Sequence, residues 1–199
     1  MTVPYTAPKL YKVESPYKGD VFNFPAHNYS TDNNFYTNNV RSISEDAYGR
    51  IWFVGANRGF AVFDGDLVYH YGSHNGFFDR IKMVECDKEG NVYVGGNGTG
   101  VYALSKPFYS DLYVRSPVFG FSDEESDIGD AHITALQTDS KGNLWVGTNL
   151  NGITYITPDT MYYWGGTNGY FDDENANASN LIIDADDRIW FTNENEIYY

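Results

Sequence analysis

The sequence is poor in cysteine, in basic residues and in unbroken apolar runs. A single cysteine, Cys86, stands among 199 residues. No disulfide within the chain can hold the fold, and Cys86 reads as a small buried side chain. No apolar run approaches the roughly 18 residues that a membrane-crossing helix needs. "MTVPYTAPKLYK" at the start lacks the apolar core of a signal peptide, a pattern most compatible with a cytoplasmic or virion-assembled chain. Lys and Arg number 13 against 27 Asp and Glu, for a formal net charge of −14. Residues 1–100 carry 9 basic and 11 acidic residues and residues 101–199 carry 4 and 16, so the surplus lies in the second half. That balance would repel phosphates and excludes nucleic acid as a partner. A phosphate-binding loop, a dinucleotide fingerprint and a G-x-S-x-G nucleophile motif are all missing. The histidines (His27, His70, His74 and His132) have no metal-ligand spacing. The sequence therefore assigns no catalytic residue, no metal and no cofactor.

What is present is a repeat. "ISEDAYGRIWFVGANRGFAVF" from Ile43 returns as "VECDKEGNVYVGGNGTGVYAL" from Val84. "HITALQTDSKGNLWVGTNLNGITYI" from His132 and "LIIDADDRIWFTNENEIYY" from Leu181 repeat it again. One column holds Asp46, Asp87, Asp139 and Asp184. Three residues on stand Gly49, Gly90, Gly142 and, against the pattern, Asp187. An aromatic column holds Trp52, Tyr93, Trp145 and Trp190. Successive aspartates lie 41, 52 and 45 residues apart by position, a period suited to propeller blades of about four strands. Asp followed by Gly suits a tight turn, because the carboxylate binds nearby N–H groups and Gly takes a positive φ. Asp187 should therefore be mildly strained.

Upstream, apolar pairs three apart recur: Val40 and Ile43, Ile81 and Val84, Ile133 and Leu136, Ala178 and Leu181. In a regular strand this spacing puts the two on opposite faces, as a sheet covered on both sides requires. Third strands read from "GFAVF" (59–63), "GVYAL" (100–104) and "GITYI" (152–156). Fourth strands start at Asp66, Asp111 and Asp159, and the last of these closes on Trp164. "LYKVESPYKGDVFNF" from Leu10 aligns on "VYALSKPFYSDLYVR" from Val101. The chain thus reads as an all-β, small propeller of about four blades of four antiparallel strands. Its units are a half-blade at 9–38, blades at 39–79, 80–131 and 132–178, and a half-blade at 179–199. Pairing of the N-terminal strands with the C-terminal half-blade would close the ring and hide its edge.

The pattern I-x-x-[IVL]-x-x-D-x-x-G-[NR]-[ILV]-[WY]-[VF]-G-[TG], best seen at Ile133 to Ile156, resembles the two-component regulator propeller repeat of hybrid histidine kinase sensor regions. "IIDADDRIWFTNENEI" is similar to the repeat of virginiamycin-type lyase propellers. The resemblance implies a β-propeller and, for regulator propellers, a sensor region outside the cell. For the lyases it implies acid–base side chains at the mouth, to which no residue here is matched.

In such a fold the second-to-third and fourth-to-first connections share one rim. Its candidate binding residues form two rows, Asn39, Arg80, His132 and Asn177 in one, Asn57, Asn97, Asn149 and Asn193 in the other. Turn chemistry alone also favours Asn there. Two acidic connections, 120–132 and 169–179, read as solvated loops rather than Ca²⁺ sites. Aromatics interleaved with Asn and Ser at 22–39 and 69–78 suit a glycan or protein contact, or the plugging of seams between blades. The leading expectation is a non-catalytic binding or assembly module that meets a protein or glycan, self-associates, or builds a larger particle such as a phage virion. A ligand-sensing input propeller and a lyase-like enzyme are the alternatives.

Overall fold

The computed structural model describes residues 9–12, 17–18, 27–56, 58–65, 67–77, 79–98, 100–104, 115–117, 132–149, 152–165, 176–193 and 196–199. Strands β1 (Lys9–Lys12), β2 (Tyr17–Lys18) and β3 (His27–Asn28) precede the first repeat. The first blade holds β4 (Val40–Glu45), β5 (Ile51–Gly55), β6 (Phe60–Phe63) and β7 (Leu67–Tyr71). The second holds β8 (Ile81–Cys86), β9 (Val92–Gly96), β10 (Val101–Leu104) and β11 (Arg115–Pro117). The third holds β12 (Ile133–Thr138), β13 (Leu144–Thr148), β14 (Ile153–Ile156) and β15 (Met161–Trp164). The last sheet is β16 (Ser179–Ile183), β17 (Ile189–Asn193) and β18 (Glu196–Tyr198). All pairings are antiparallel between neighbours in sequence, with one exception at the N-terminus. The fold is an all-β propeller of four antiparallel sheets, and the described residues include no α-helix.

Three features depart from expectation. First, β1 pairs with β7, setting Leu10 opposite Tyr69, and becomes a fifth strand on the first blade. It does not pair with the C-terminal strands, and the last sheet ends at β18 with three strands. The ring is therefore not closed by N-terminal pairing. The open edge of β7 lies nearest along the chain and satisfies the same backbone groups over a shorter loop. Second, the fourth strand of the second blade is Arg115–Pro117, at the far end of the stretch expected from Asp111, whose other residues lie outside those described. Third, the apolar pairs three apart share a face.

The cause of the third is a bulge. The register of each first strand slips by one residue against its partner: between Val40 and Ser42, Ile81 and Met83, Ile133 and Ala135, and Ser179 and Ile182. A bulge absorbs one residue, so a separation of three behaves as a separation of two. Ile81 and Val84 then enter one cluster with Trp52, Val54 and Phe60 of the preceding blade. Ile133 and Leu136 join Val101 of the second blade, and Ala178 and Leu181 join Ile153 of the third. These six side chains are 0 to 4% exposed, whereas Val40 and Ile43 are 45% and 64% exposed. The column is a packing device between blades, and at the first blade Val40 and Ile43 have no such partner among the described residues. The outer part of that leading face is covered instead by Tyr29, Phe35 and Tyr36, packed on Phe53, Ala61 and Val68.

The aspartate turns work as expected and do more. Asp46 Oδ1 accepts from the backbone N–H of Tyr48 (2.9 Å) and Arg50 (3.1 Å). Its Oδ2 accepts from Arg50 Nε (2.7 Å) and Trp52 Nε1 (2.9 Å). Asp184 repeats the arrangement with Arg188 and Trp190. Asp87 receives the side chains of Asn91 (2.5 Å) and Tyr93 (3.4 Å). Asp139 receives Asn143 (3.1 Å) and, from the third strand, the Tyr155 hydroxyl (3.4 Å). Each carboxylate thus ties the turn to the sheet. Burial opposes ionisation of Asp46, but the four donors outweigh it and hold the carboxyl below its usual range. Asp187 sits at φ 59°, where Gly49, Gly90 and Gly142 have 75°, 83° and 80°. Its carboxylate accepts from Ser140 N–H (3.1 Å) and from Ser140 Oγ–H of the third blade. A tie between sheets offsets the backbone cost, and those bonds hold the Asp187 carboxyl below its usual range.

Hydrogen bonds cross the other seams as well. The Ser42 hydroxyl donates to Val84 O (3.3 Å) and accepts from Val84 N–H (3.1 Å), and Ser44 Oγ accepts from Cys86 N–H (3.1 Å). Glu85 Oε1 accepts from both Thr138 N–H and Thr138 Oγ–H, each at 3.3 Å. Cys86 packs beside the first seam, and burial pushes its thiol up to about 12, as an inert structural cysteine requires.

Two predictions follow from these groups. Asp46→Ala strands the buried Arg50 guanidinium and Trp52 indole, and should lower unfolding free energy by about 3–5 kcal/mol in urea titration. The same change at the exposed Asp184 turn should be clearly milder. For Glu85, burial pushes the carboxyl up to about 7, with the Thr138 bonds acting downward and Asp87 upward. A raised acid favours the folded state fully below its ordinary range, and that contribution is lost as pH rises to 7. Glu85→Gln should therefore be more stable than the parent at pH 8, by on the order of 2 kcal/mol, with the gap closing toward pH 5.

Candidate functional site

The mouth of the propeller is built from the backbone outward. Within each blade, the residue after the second strand donates to the one before the first: Ala56 N–H to Asn39 O (2.9 Å), Asn97 to Arg80 (3.2 Å) and Asn149 to His132 (3.1 Å). Between sheets, Gly59 N–H donates to Asp79 O (3.4 Å) and Gly152 N–H to Ala176 O (2.7 Å). Asn97 and His132 form an antiparallel bridge from the second blade to the third. Among the described candidates, the backbones of Arg80, Asn97, His132 and Asn149 are thus linked in series across the second and third blades.

The described candidates differ in what their side chains do. Asn39, Arg80 and His132 are exposed. His132 Nδ1 lies 3.4 Å from Asn149 Nδ2. Asn97, Asn177 and Asn193 are partly buried, and each has a buried side-chain Oδ1 with no hydrogen-bond partner. Asn57 lies outside the described residues, as do residues 120–131 and 169–175 of the acidic connections. No cluster of three metal-binding side chains occurs among the described residues.

One rim group went unread in the sequence. The His70 ring bonds Arg58 O, His74 Nε2 lies 3.1 Å from His70 O, and Tyr36 stands 5.0 Å from the His70 ring. Its signal was the H-x-x-x-H of "HYGSH", too loose a spacing to read without the bend at Ser73–Asn75. A second feature was equally hidden. A groove of about 350 Å³ opens between the third blade and the last sheet, walled by Trp145, Trp164, Phe191 and Tyr198. It lies beside β18, the last described strand of that sheet.

The model for "Two component regulator propeller" matches residues 37–57 and 127–150. The two matched stretches hold two of the four aspartate turns, those of Asp46 and Asp139. Its fold is similar to the extracellular domain described as that of hybrid two component system BT3049 from B. thetaiotaomicron, with 22% identity and a TM-score of 0.67. That match covers 86% of this chain and 23% of the other. The extracellular domain of one component system BT4673 from the same organism follows, at 18% identity and a TM-score of 0.63, covering 82% and 23%. A catalytically inactive virginiamycin B lyase from Staphylococcus aureus, solved with quinupristin, aligns at 15% identity and a TM-score of 0.54, covering 77% and 48%. The chain therefore spans about a quarter of the sensor-domain chains and about half of the lyase. No curated protein matches in sequence. No helix among the described residues is long and apolar enough to cross a membrane.

The orphaned rim oxygens make a stability test possible. Removing a buried acceptor that has no partner removes a desolvation penalty. Asn97→Ala should leave stability unchanged or raise it by about 1 kcal/mol, whereas Asn143→Ala, which breaks bonds to Asp139 and Tyr155, should lower it by a similar amount. Paired thermal melts read the opposite signs.

Proposed function

We propose that the chain is part of a ligand-sensing propeller of a regulator-type receptor, which binds a small hydroxyl-rich molecule at its rim and catalyses nothing. The observation that carries this reading is a regulator repeat whose mouth holds three asparagine Oδ1 atoms buried without partners. Acceptors in that state favour a ligand rich in donors, as a sugar or polyol is. Arg80, His132 and Asn149 border the same rim and would set orientation. The blade limits 39–79, 80–131 and 132–178, with flanking half-blades, belong to this reading. The likeness to extracellular sensor domains favours it over an assembly block of a virion, for which no comparison speaks.

The test is a thermal-shift and calorimetric panel of mono- and oligosaccharides and polyols. A true ligand at a hundredfold its Kd should add about 2.7 kcal/mol of stability. The triple variant Asn97→Ala, Asn177→Ala, Asn193→Ala should weaken binding at least about tenfold with no loss of melting temperature. A panel without a shift, or a triple variant that binds normally, would overturn the reading.

A further inference from the structure

We infer that the ligand taken at this mouth carries an oxyanion, as a sugar acid does, and that Arg41, Arg80 and Lys82 hold that group where the central channel opens. The inference rests on the sensing proposal and narrows its ligand class. The first strand is the end strand of each sheet, and the first strands of successive sheets lie side by side, so together they line the channel. The bulge that serves packing also re-aims one residue in each of them. On the second blade, Ile81 and Val84 turn to the first blade, while Met83 and Glu85 turn to the third. Lys82 lies at the slip between Ile81 and Met83, with no residue opposite it on β9, and is left to the channel. On the first blade the residue at the same slip is Arg41. On the third it is Thr134, whose hydroxyl donates to Ala178 O of the last sheet. Arg80 stands just before β8 on the rim, its carbonyl accepting from Asn97 N–H.

Two bulges at equivalent places on adjacent strands thus carry cations, in a chain with 27 acidic residues against 13 basic ones. Among the described residues the ion pairs are those of Arg50 and Arg188, so no described carboxylate neutralises Arg41, Arg80 or Lys82. Asp79, next to Arg80 in the chain, accepts from Ser73 N–H at 2.9 Å. Arg41 and Arg80 are exposed and Lys82 is half-buried, so an anion can reach all three. Like charges gathered at one opening repel, and an oxyanion between them removes that repulsion. The guanidinium groups also present paired N–H donors that match the oxygens of a carboxylate. The third blade and the last sheet offer neutral groups instead, Thr134 and the unpartnered Oδ1 atoms of Asn177 and Asn193. A neutral sugar would engage those oxygens and leave the cations bare, and a small inorganic anion would do the reverse. A sugar acid engages both.

The test is calorimetric titration of the 199-residue chain with matched pairs: glucose against glucuronate, galactose against galacturonate, and glucose against a sulfated glucose. The charged member of at least one pair should bind about tenfold or more tighter than its neutral partner. That preference should shrink as salt rises from about 50 to 500 mM, because accessible charges are screened. Lys82→Gln and Arg80→Gln should each cut the preference roughly fivefold or more while keeping the parent's circular dichroism and melting temperature. A preference for sulfate alone would support the oxyanion site with a sulfated sugar as its source. Neutral sugars that bind as tightly as their charged partners, or a preference that survives both substitutions and high salt, would overturn the inference and leave the sensing proposal standing. Binding to no saccharide, neutral or charged, would overturn both.

Discussion

A propeller blade is a thin sheet with two apolar faces, and neither face has an interior until another blade lies against it. Every other feature of this chain answers to that constraint. The bulge in each first strand serves it, because only a slipped register brings Ile81 with Val84, or Ile133 with Leu136, to the same side. The repeated pair supplies the bulk, at about 1.5–3 kcal/mol for each fully buried side chain. The serine, threonine and acidic residues of the strands then stitch the seam: Ser42 and Ser44 to the second blade, Glu85 to Thr138, Ser140 to Asp187. Apolar burial supplies most of the energy, while the hydrogen bonds fix the register, since a shift by one residue would turn each apolar pair outward.

The aspartate turns solve a different problem, that of a carboxylate near the base of a packed wedge. Its charge is tolerated because the turn surrounds it with donors, two from the backbone and two from side chains at Asp46. What the repeat preserves is an aromatic donor to the carboxylate, not which aromatic supplies it. Trp52 and Trp190 give an indole N–H, Tyr93 a hydroxyl from the same column, and at Asp139 the hydroxyl comes from Tyr155 on the neighbouring strand. That substitution frees Trp145 to stack on Trp164 at 5.7 Å, but leaves its buried indole N–H without a partner beside the open groove.

Strands, turns and the aromatic column were legible in the sequence because each is written by local chemistry that recurs four times. Asp46 with Gly49, or Leu144 to Thr148 between two turns, needs no long-range information. The bulge was not legible: a three-residue spacing is compatible with opposite faces or with a slipped register, and only the partner strand decides. The placement of Lys9–Lys12 was not legible either. Its sequence resembles a third strand, yet edge pairing uses backbone groups that every residue shares, so the nearest free edge on β7 won. At the rim, the positions of Asn97, Asn149 and Asn177 were readable from the turn pattern. Which of their amides lack partners was not, because that depends on packing across two blades.

That distinction bears on where function sits. Most faces and turns are committed to packing, the open groove beside Trp145 and Trp164 excepted. The mouth is built differently. Its described backbone is held by bonds such as Asn149 to His132 and Gly152 to Ala176, while the amide oxygens of Asn97, Asn177 and Asn193 are left without partners. Each buried acceptor left without a partner costs about 1–3 kcal/mol. The place of these oxygens on the rim, beside the exposed Arg80 and His132, is the feature on which the proposed sensing role rests.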